Sequence, residues 1–219
     1  MPGSKELQKP PSGKLLSSFF TKKFVRFTDV FEPLLPPNIV AGLQTMRFCR
    51  ISNAKIANLT LLDSKGFHMS IQRSSNVTVR DLNISAPENS RNTDGIHVSG
   101  SNNIDLASLT IGTGDDCISI GQGSTNVFIS NVACGPGHGI SIGSLGKYNN
   151  EKNVAGVNVR NCTISGTTNG VRIKTWPGAP PTEASDITFE DIVAENVSNA
   201  IIIDQEYCPV HHCSNEVWF

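Results

Sequence analysis

Apolar residues recur in this chain at offsets 0, 2, 5 and 7 of a repeating unit, a pattern that leaves few folds open. The template fits Val77, Val79, Leu82 and Ile84, then Ile104, Leu106, Leu109 and Ile111, then Val127, Ile129, Val132 and Cys134. Two further copies are Val157, Val159, Cys162, Ile164 and Ile187, Phe189, Ile192, Ala194, and a degenerate earlier one is Ala54, Ile56, Leu59, Leu61. Successive copies lie 23, 27, 23, 30 and 30 residues apart, spacings that mark a solenoid. Alternation, a shift of phase and renewed alternation describe two short strands bent around a filled interior. Helices of useful length find no room between copies.

Each repeat carries another strand as well, such as residues 117–120 and 139–142, so a coil is expected to have about three strands joined by tight turns. Gly, Asn and Ser crowd those turns, as at residues 101–103 and 123–126, because they tolerate positive φ and close with side-chain hydrogen bonds. The predicted fold class is all-β, a right-handed parallel β-helix, a solenoid of about six coils lying about 4.8 Å apart.

Stacking gathers polar residues into columns. Asp94, Asp116, His138 and Asn169 align in one, His97, Ser119, Ser141 and Arg172 in a second, and Ser99, Gly121, Gly143 and Lys174 in a third. Asp94, Asp115 and Asp116 then fall within roughly one coil spacing of each other. Crowded carboxyls cannot all ionise at neutral pH, so one proton should be held above its ordinary pKa, as a general acid of glycoside hydrolysis requires. Arg172 and Lys174 share a strand face and make a clamp for a substrate carboxylate, which a neutral-sugar site would not need. An anionic sugar polymer is the substrate class this implies. His138 stands between acids and bases, placed to orient an Asp or share its proton, whereas His97 reads as a structural or rim residue.

Composition excludes other classes. A net charge of −1 over 219 residues supplies no basic field for nucleic acid. No apolar run approaches the ~20 residues that span a bilayer, so neither a nucleic acid nor a membrane is expected as partner, and the chain is expected to be a monomer. Residues 1–44 carry six Pro and no template copy, and are expected to be irregular and partly disordered, with the β-helix domain over 45–219. The run at residues 15–20 is a poor signal-peptide core, followed as it is by Lys22 and Lys23. Of six cysteines, Cys117 and Cys134 lie one coil apart, and spacing alone leaves open a bridge between them or, for Cys134, a buried small hydrophobe. Cys208 and Cys213 are close enough to close a small loop, and Cys162, on an apolar template position, is expected to be free. Glycosylation triplets begin at Asn58, Asn76, Asn83, Asn161 and Asn196, though an Asn-rich solenoid generates such triplets by chance.

Four triplets occur in order: Asn92-Thr93-Asp94, Gly114-Asp115-Asp116, Gly137-His138-Gly139 and Arg172-Ile173-Lys174. Together they resemble the motifs of the polygalacturonases of glycoside hydrolase family 28, and residues 170–178 and 201–209 are most similar to the plant exo-acting branch. The resemblance runs from about Met46 to Cys213, and family members carry further coils on both sides. It implies hydrolysis of α-1,4-galacturonosyl linkages in pectin with inversion and without metal or other cofactor, in a secreted, cell-wall enzyme. It also implies Asp115 as general acid, Asp94 and Asp116 activating water, and His138 supporting the acid. Asn92, Arg172 and Lys174 would contact substrate, and Cys117 would pair with Cys134. The family's active-site tyrosine lies beyond the matched region, so that role is not transferred to Tyr207. Coil spacing by itself points the other way on stereochemistry, since inverting enzymes place their carboxyls about 6.5–9.5 Å apart. The alternatives are an endo-acting polygalacturonase, a catalytically silent pectin-binding β-helix, and a calcium-dependent lyase, against which Arg172 and Lys174 argue.

Overall fold

The computed structural model describes residues 23–26, 44–209 and 213. Its strands are β1 (Lys23–Arg26), β2 (Gln44–Cys49), β3 (Ser52–Leu62), β4 (Phe67–Gln72), β5 (Ser75–Ser85), β6 (Ile96–Ser99) and β7 (Asn102–Gly112), followed by β8 (Ile118–Ile120), β9 (Thr125–Cys134), β10 (Ile140–Leu145), β11 (Val154–Ser165), β12 (Asn169–Thr175), β13 (Ala184–Glu195) and β14 (Asn199–Asp204). Odd-numbered strands form one seven-stranded sheet and even-numbered strands another. Every pairing is parallel. The chain alternates between the two sheets and advances one strand per circuit, so the described residues form a parallel β-helix. No helix among them is long and apolar enough to cross a membrane.

A coil contains two strands where the repeat predicts about three. The two short strands of the template run together as one long strand, kinked at offset 4 by a residue with positive φ: Asn58, Asp81, Ser108, Asn131, Asn161 or Asp191. A second left-handed residue precedes offset 0, at Asn53, Asn76, Asn103, Asn126, Gly156 and Asp186. Asn and Asp tolerate this conformation better than other residues with a side chain, and the kink between them turns the phase shift of the template into a corner. Asparagines at these corners also form ladders between coils. Asn76 Nδ2 donates to Asn53 Oδ1 at 3.1 Å, and Asn161 Nδ2 donates to Asn131 Oδ1 at 2.6 Å. Two glycosylation triplets therefore begin on side chains already engaged in coil stacking.

Template residues pair in register from coil to coil, with Val77, Ile104, Val127, Val157 and Ile187 in one column. They fill the interior with Val79, Leu106, Ile129 and Val159 and with Ile96, Ile118 and Ile140 from the opposite sheet, all buried except the half-buried Ile187. At the last described coil the burial falls away. Ile201 and Ile203, in register with Val171 and Ile173, are 75% and 70% exposed.

Of residues 1–44, for which an irregular segment is expected, Lys23–Arg26 is a strand paired with Leu59–Leu62. Residues 1–22 and 27–43 lie outside the described residues. Cys117 is bridged to Cys134 and Cys208 to Cys213, while Cys49 and buried Cys162 are free. Leu106 is fully buried at the middle of the stack, so Leu106→Ala is expected to cost about 2–5 kcal/mol, seen as a lower denaturant midpoint. The same substitution at exposed Val193 should leave the midpoint nearly unchanged.

Candidate active site

The turns leading into β6, β8 and β10 present their acids and histidine at the edge of one sheet, held there by coil stacking. Asp116 accepts from the Gly95 amide at 2.9 Å through its carbonyl, and the Asp115 carbonyl accepts from the His138 amide at 2.9 Å. The Thr93 hydroxyl accepts from the Gly114 amide at 3.0 Å, tying the first acidic turn to the second. Gly114 leaves space for this approach, because a Cβ there would collide with the Ser90 carbonyl. Gly139 has φ +87 and would collide with the Asn169 carbonyl. Within the strands His97, Ser119, Ser141 and Arg172 pair as Cα partners, and so do Gly143 and Lys174.

Asp116 is the hub. Its Oδ1 accepts from Arg172 at 3.0 Å and from the Ser141 hydroxyl at 2.7 Å, while Oδ2 accepts from Lys174 Nζ at 2.7 Å, and its side chain is 1% exposed. Two cations converge on one buried carboxylate, as burial of such a charge demands. Asp115 pairs with His138 Nδ1 at 3.2 Å and accepts from the Asp116 amide at 2.8 Å. Asp94 Oδ2 accepts from the Ser119 hydroxyl at 2.8 Å, and that hydroxyl lies 2.8 Å from His97 Nδ1. With Ser119 donating to Asp94, His97 supplies the second hydrogen bond as an Nδ1–H donor. Asp115, Asp116 and His138 bring ligand atoms within 4.8 Å of one another. A divalent cation among them would face Arg172 and Lys174, which already occupy both Asp116 oxygens, so this donor set is an ion-pair cluster and a poor fit to a metal.

The environment drives the acids apart. Burial, reinforced by the charges of Asp115 and Asp116, raises Asp94 well above the usual carboxylate range, against the opposing pull of Ser119 and Lys174. Burial also raises Asp115, but the His138 hydrogen bond and charge together with Lys174 outweigh it, and Asp115 is held below its ordinary value. The Asp115 hydrogen bond raises His138. Burial lowers His97 to about 4, so it is neutral. Burial lowers Lys174 as well, yet Asp116 outweighs it and the ammonium is held above its ordinary value. Burial thus favours the protonated form of Asp94, the Asp115–His138 pair favours an ionised Asp115, and two cationic side chains, Arg172 and Lys174, meet the single Asp116 carboxylate.

Four residues join the site without having been assigned to it from sequence. Tyr207 lies with its ring 5.1 Å from Lys174 Nζ and 5.8 Å from the Arg172 guanidinium, and meets Trp176 edge-on at 5.9 Å. His97, expected as a structural or rim residue, has the structural role: it supports Asp94 through Ser119 and packs its ring against Phe67 at 5.0 Å. Its alignment with two serines was the available signal, since a ring beside a hydroxyl column can hydrogen-bond to it. Buried His68 sets Nδ1 3.2 Å from the Thr93 carbonyl and so props the turn that carries Asp94. Asn92, by contrast, is exposed on that turn with φ 56, outside the carboxylate hub.

These shifts have opposite pH signs. The raised pKa of His138 gives stability that is complete below its ordinary ~6.5 and lost as pH rises through the folded value. The lowered pKa of Asp115 gives stability present above its ordinary value and lost as pH falls through the folded one. Ring titration by NMR should find His138 titrating above its ordinary value and His97 staying neutral down to about 4. A His97 that titrates near 6.5 would contradict the buried Ser119 linkage.

Comparison with known proteins agrees with this fold. The profile of Glycosyl hydrolases family 28 matches residues 43–218. An exopolygalacturonase of Arabidopsis thaliana is 57% identical over 168 residues, covering 77% of this chain and 38% of that protein. The exopolygalacturonase of Platanus acerifolia is 51% identical, covering 82% and 48%. The structure of the polygalacturonase from Erwinia carotovora superposes with a TM-score of 0.69 at 32% identity, over 75% of this chain and 43% of that one. The chain thus spans less than half the length of the relatives it matches. On the profile match, the four ordered motifs and the coil geometry, it belongs to glycosyl hydrolases family 28.

Proposed function

We propose that this chain carries the catalytic strip of an exo-acting polygalacturonase, which hydrolyses α-1,4-galacturonosyl linkages of pectin with inversion. The observation that carries the reading is the pair of cations, Arg172 and Lys174, converging on Asp116 beside Asp94 and Asp115, two acids whose surroundings push their pKa values in opposite directions. A uronate carboxylate seats against the cations, and the scissile bond lies over the acids. Asp115 protonates the glycosidic oxygen, Asp94 and Asp116 draw a proton from the attacking water, and His138 orients Asp115. In the free protein the proton of the Asp94 and Asp115 pair rests on Asp94. A bound uronate adds negative charge beside both acids, and the approaching glycosidic oxygen favours the protonated form of Asp115. Exo action is supported by the names of the Arabidopsis and Platanus relatives. Secretion is supported by two disulfides, which persist in oxidising compartments, and a plant cell-wall setting by the plant sources of the exopolygalacturonase relatives.

A second assignment on the same strip is favoured by the raised pKa of Asp94, which would make Asp94 the acid. Leaving-group chemistry separates the two. On polygalacturonate, Asp115→Asn should reduce galacturonate release by about 10²–10⁴-fold. On 4-nitrophenyl α-galacturonide, whose leaving group needs no protonation, the variant should recover most of that loss while Asp94→Asn does not. The reverse pattern would move the acid to Asp94, and full activity of both variants on polygalacturonate would overturn the reading.

A further inference from the structure

Beyond Lys174 the strip continues into a wall of rings that ends on an unneutralised cation. Trp176 is two residues past Lys174 and four past Arg172, on the alternation that β12 sets. Its amide donates to the Leu145 carbonyl at 2.9 Å and so extends the pairing of β12 with β10. Tyr207 links the indole to Lys174. The indole also meets Lys147 Nζ, which lies 5.2 Å from the Trp176 ring and 5.4 Å from the Tyr148 ring.

The loop that carries Lys147 is fixed on both sides. Glu151 accepts from the Gly146 amide at 2.8 Å and from the Tyr148 amide at 2.9 Å, one with each carboxylate oxygen. Gly146 packs directly on Ala179 of the next coil, which leaves no space for a Cβ. Among the described residues no ion pair joins Lys147 to a carboxylate. Contact with ring faces orients an ammonium and leaves its charge intact. Lys147 is thus a held, exposed cation flanked by rings, one of them the 65% exposed Tyr148.

Resting on the uronate-chain reading above, we propose that Lys147, with Tyr148 and Trp176, forms a second carboxylate-binding subsite for another galacturonate residue of the same chain. A polymer with one carboxylate per sugar needs cations at intervals, and Lys174 and Lys147 are spaced through the Tyr207 and Trp176 rings. Sugar rings present C–H faces to aromatic side chains while their carboxylates reach the ammonium. A neutral or methyl-esterified residue makes no ion pair here, so the subsite selects free acid at this position.

Binding is measured in an Asp115→Asn background, which prevents turnover, with galacturonate and tetragalacturonate as ligands. Lys147→Gln is expected to weaken tetragalacturonate about tenfold and leave the monomer unchanged, and Lys147→Arg to recover most of the loss, with circular dichroism confirming the fold of each. Equal tetragalacturonate affinity with and without the lysine overturns the subsite and leaves the uronate-chain reading standing. Equal weakening of monomer and tetramer overturns it as well, because Lys147 would then belong to the first site. Absence of binding by the Lys147-containing parent removes the uronate-chain reading, and the subsite with it.

Discussion

Parallel stacking of coils in strict register is the constraint on which everything else depends. It alone brings Asp116 to Arg172 and Lys174 across 56 and 58 residues of sequence. Each coil supplies one or two members of the site, and backbone bonds such as His138 to Asp115 fix their order. The register is itself secured by the interior. A slip of one residue would turn every template position outward, exposing the ladder of Ile, Leu and Val that the solenoid buries.

The strip concentrates charge of both signs where burial makes it costly, and hydrogen bonding offsets that cost. Asp116 tolerates its burial because two cations and the Ser141 hydroxyl satisfy both oxygens. Asp94 has only the Ser119 hydroxyl on Oδ2 and answers burial by holding a proton. Asp115 is less enclosed and is kept ionised by His138, whose side chain is 41% exposed. Three neighbouring acids thus meet three different surroundings, set by partners that differ between adjacent coils. That division is what acid–base chemistry on an anionic sugar requires.

Much of the fold was legible because β-strand alternation has an unambiguous period. The columns that place His97 with Ser119, Ser141 and Arg172 follow from it and appear as Cα partners. The number of strands per coil was less legible, since a phase shift marks a corner equally well whether or not pairing continues through it. Asn131 and Asn161 sit at such corners with positive φ, and the strand runs on through them. Side-chain direction across coils was the least legible. Nothing in local sequence says that Lys174 turns to Asp116, or that Tyr207, well beyond the end of β12 at Thr175, comes back over Lys174. The link from His97 to Asp94 is hard to read from sequence because it runs through a serine hydroxyl, a partner with no charge to signal it.

In the proposed hydrolysis of an α-linked uronate chain by the Asp94, Asp115 and Asp116 strip, water attacks from the face opposite the leaving group. Proton NMR of the first product formed from trigalacturonate tests this most directly, because the anomeric signal reports the geometry of attack before mutarotation. Inversion at an α-linkage gives β-galacturonate as the expected initial monomer. An initial α-anomer would contradict inversion, and a product with an unsaturated ring would contradict hydrolysis altogether.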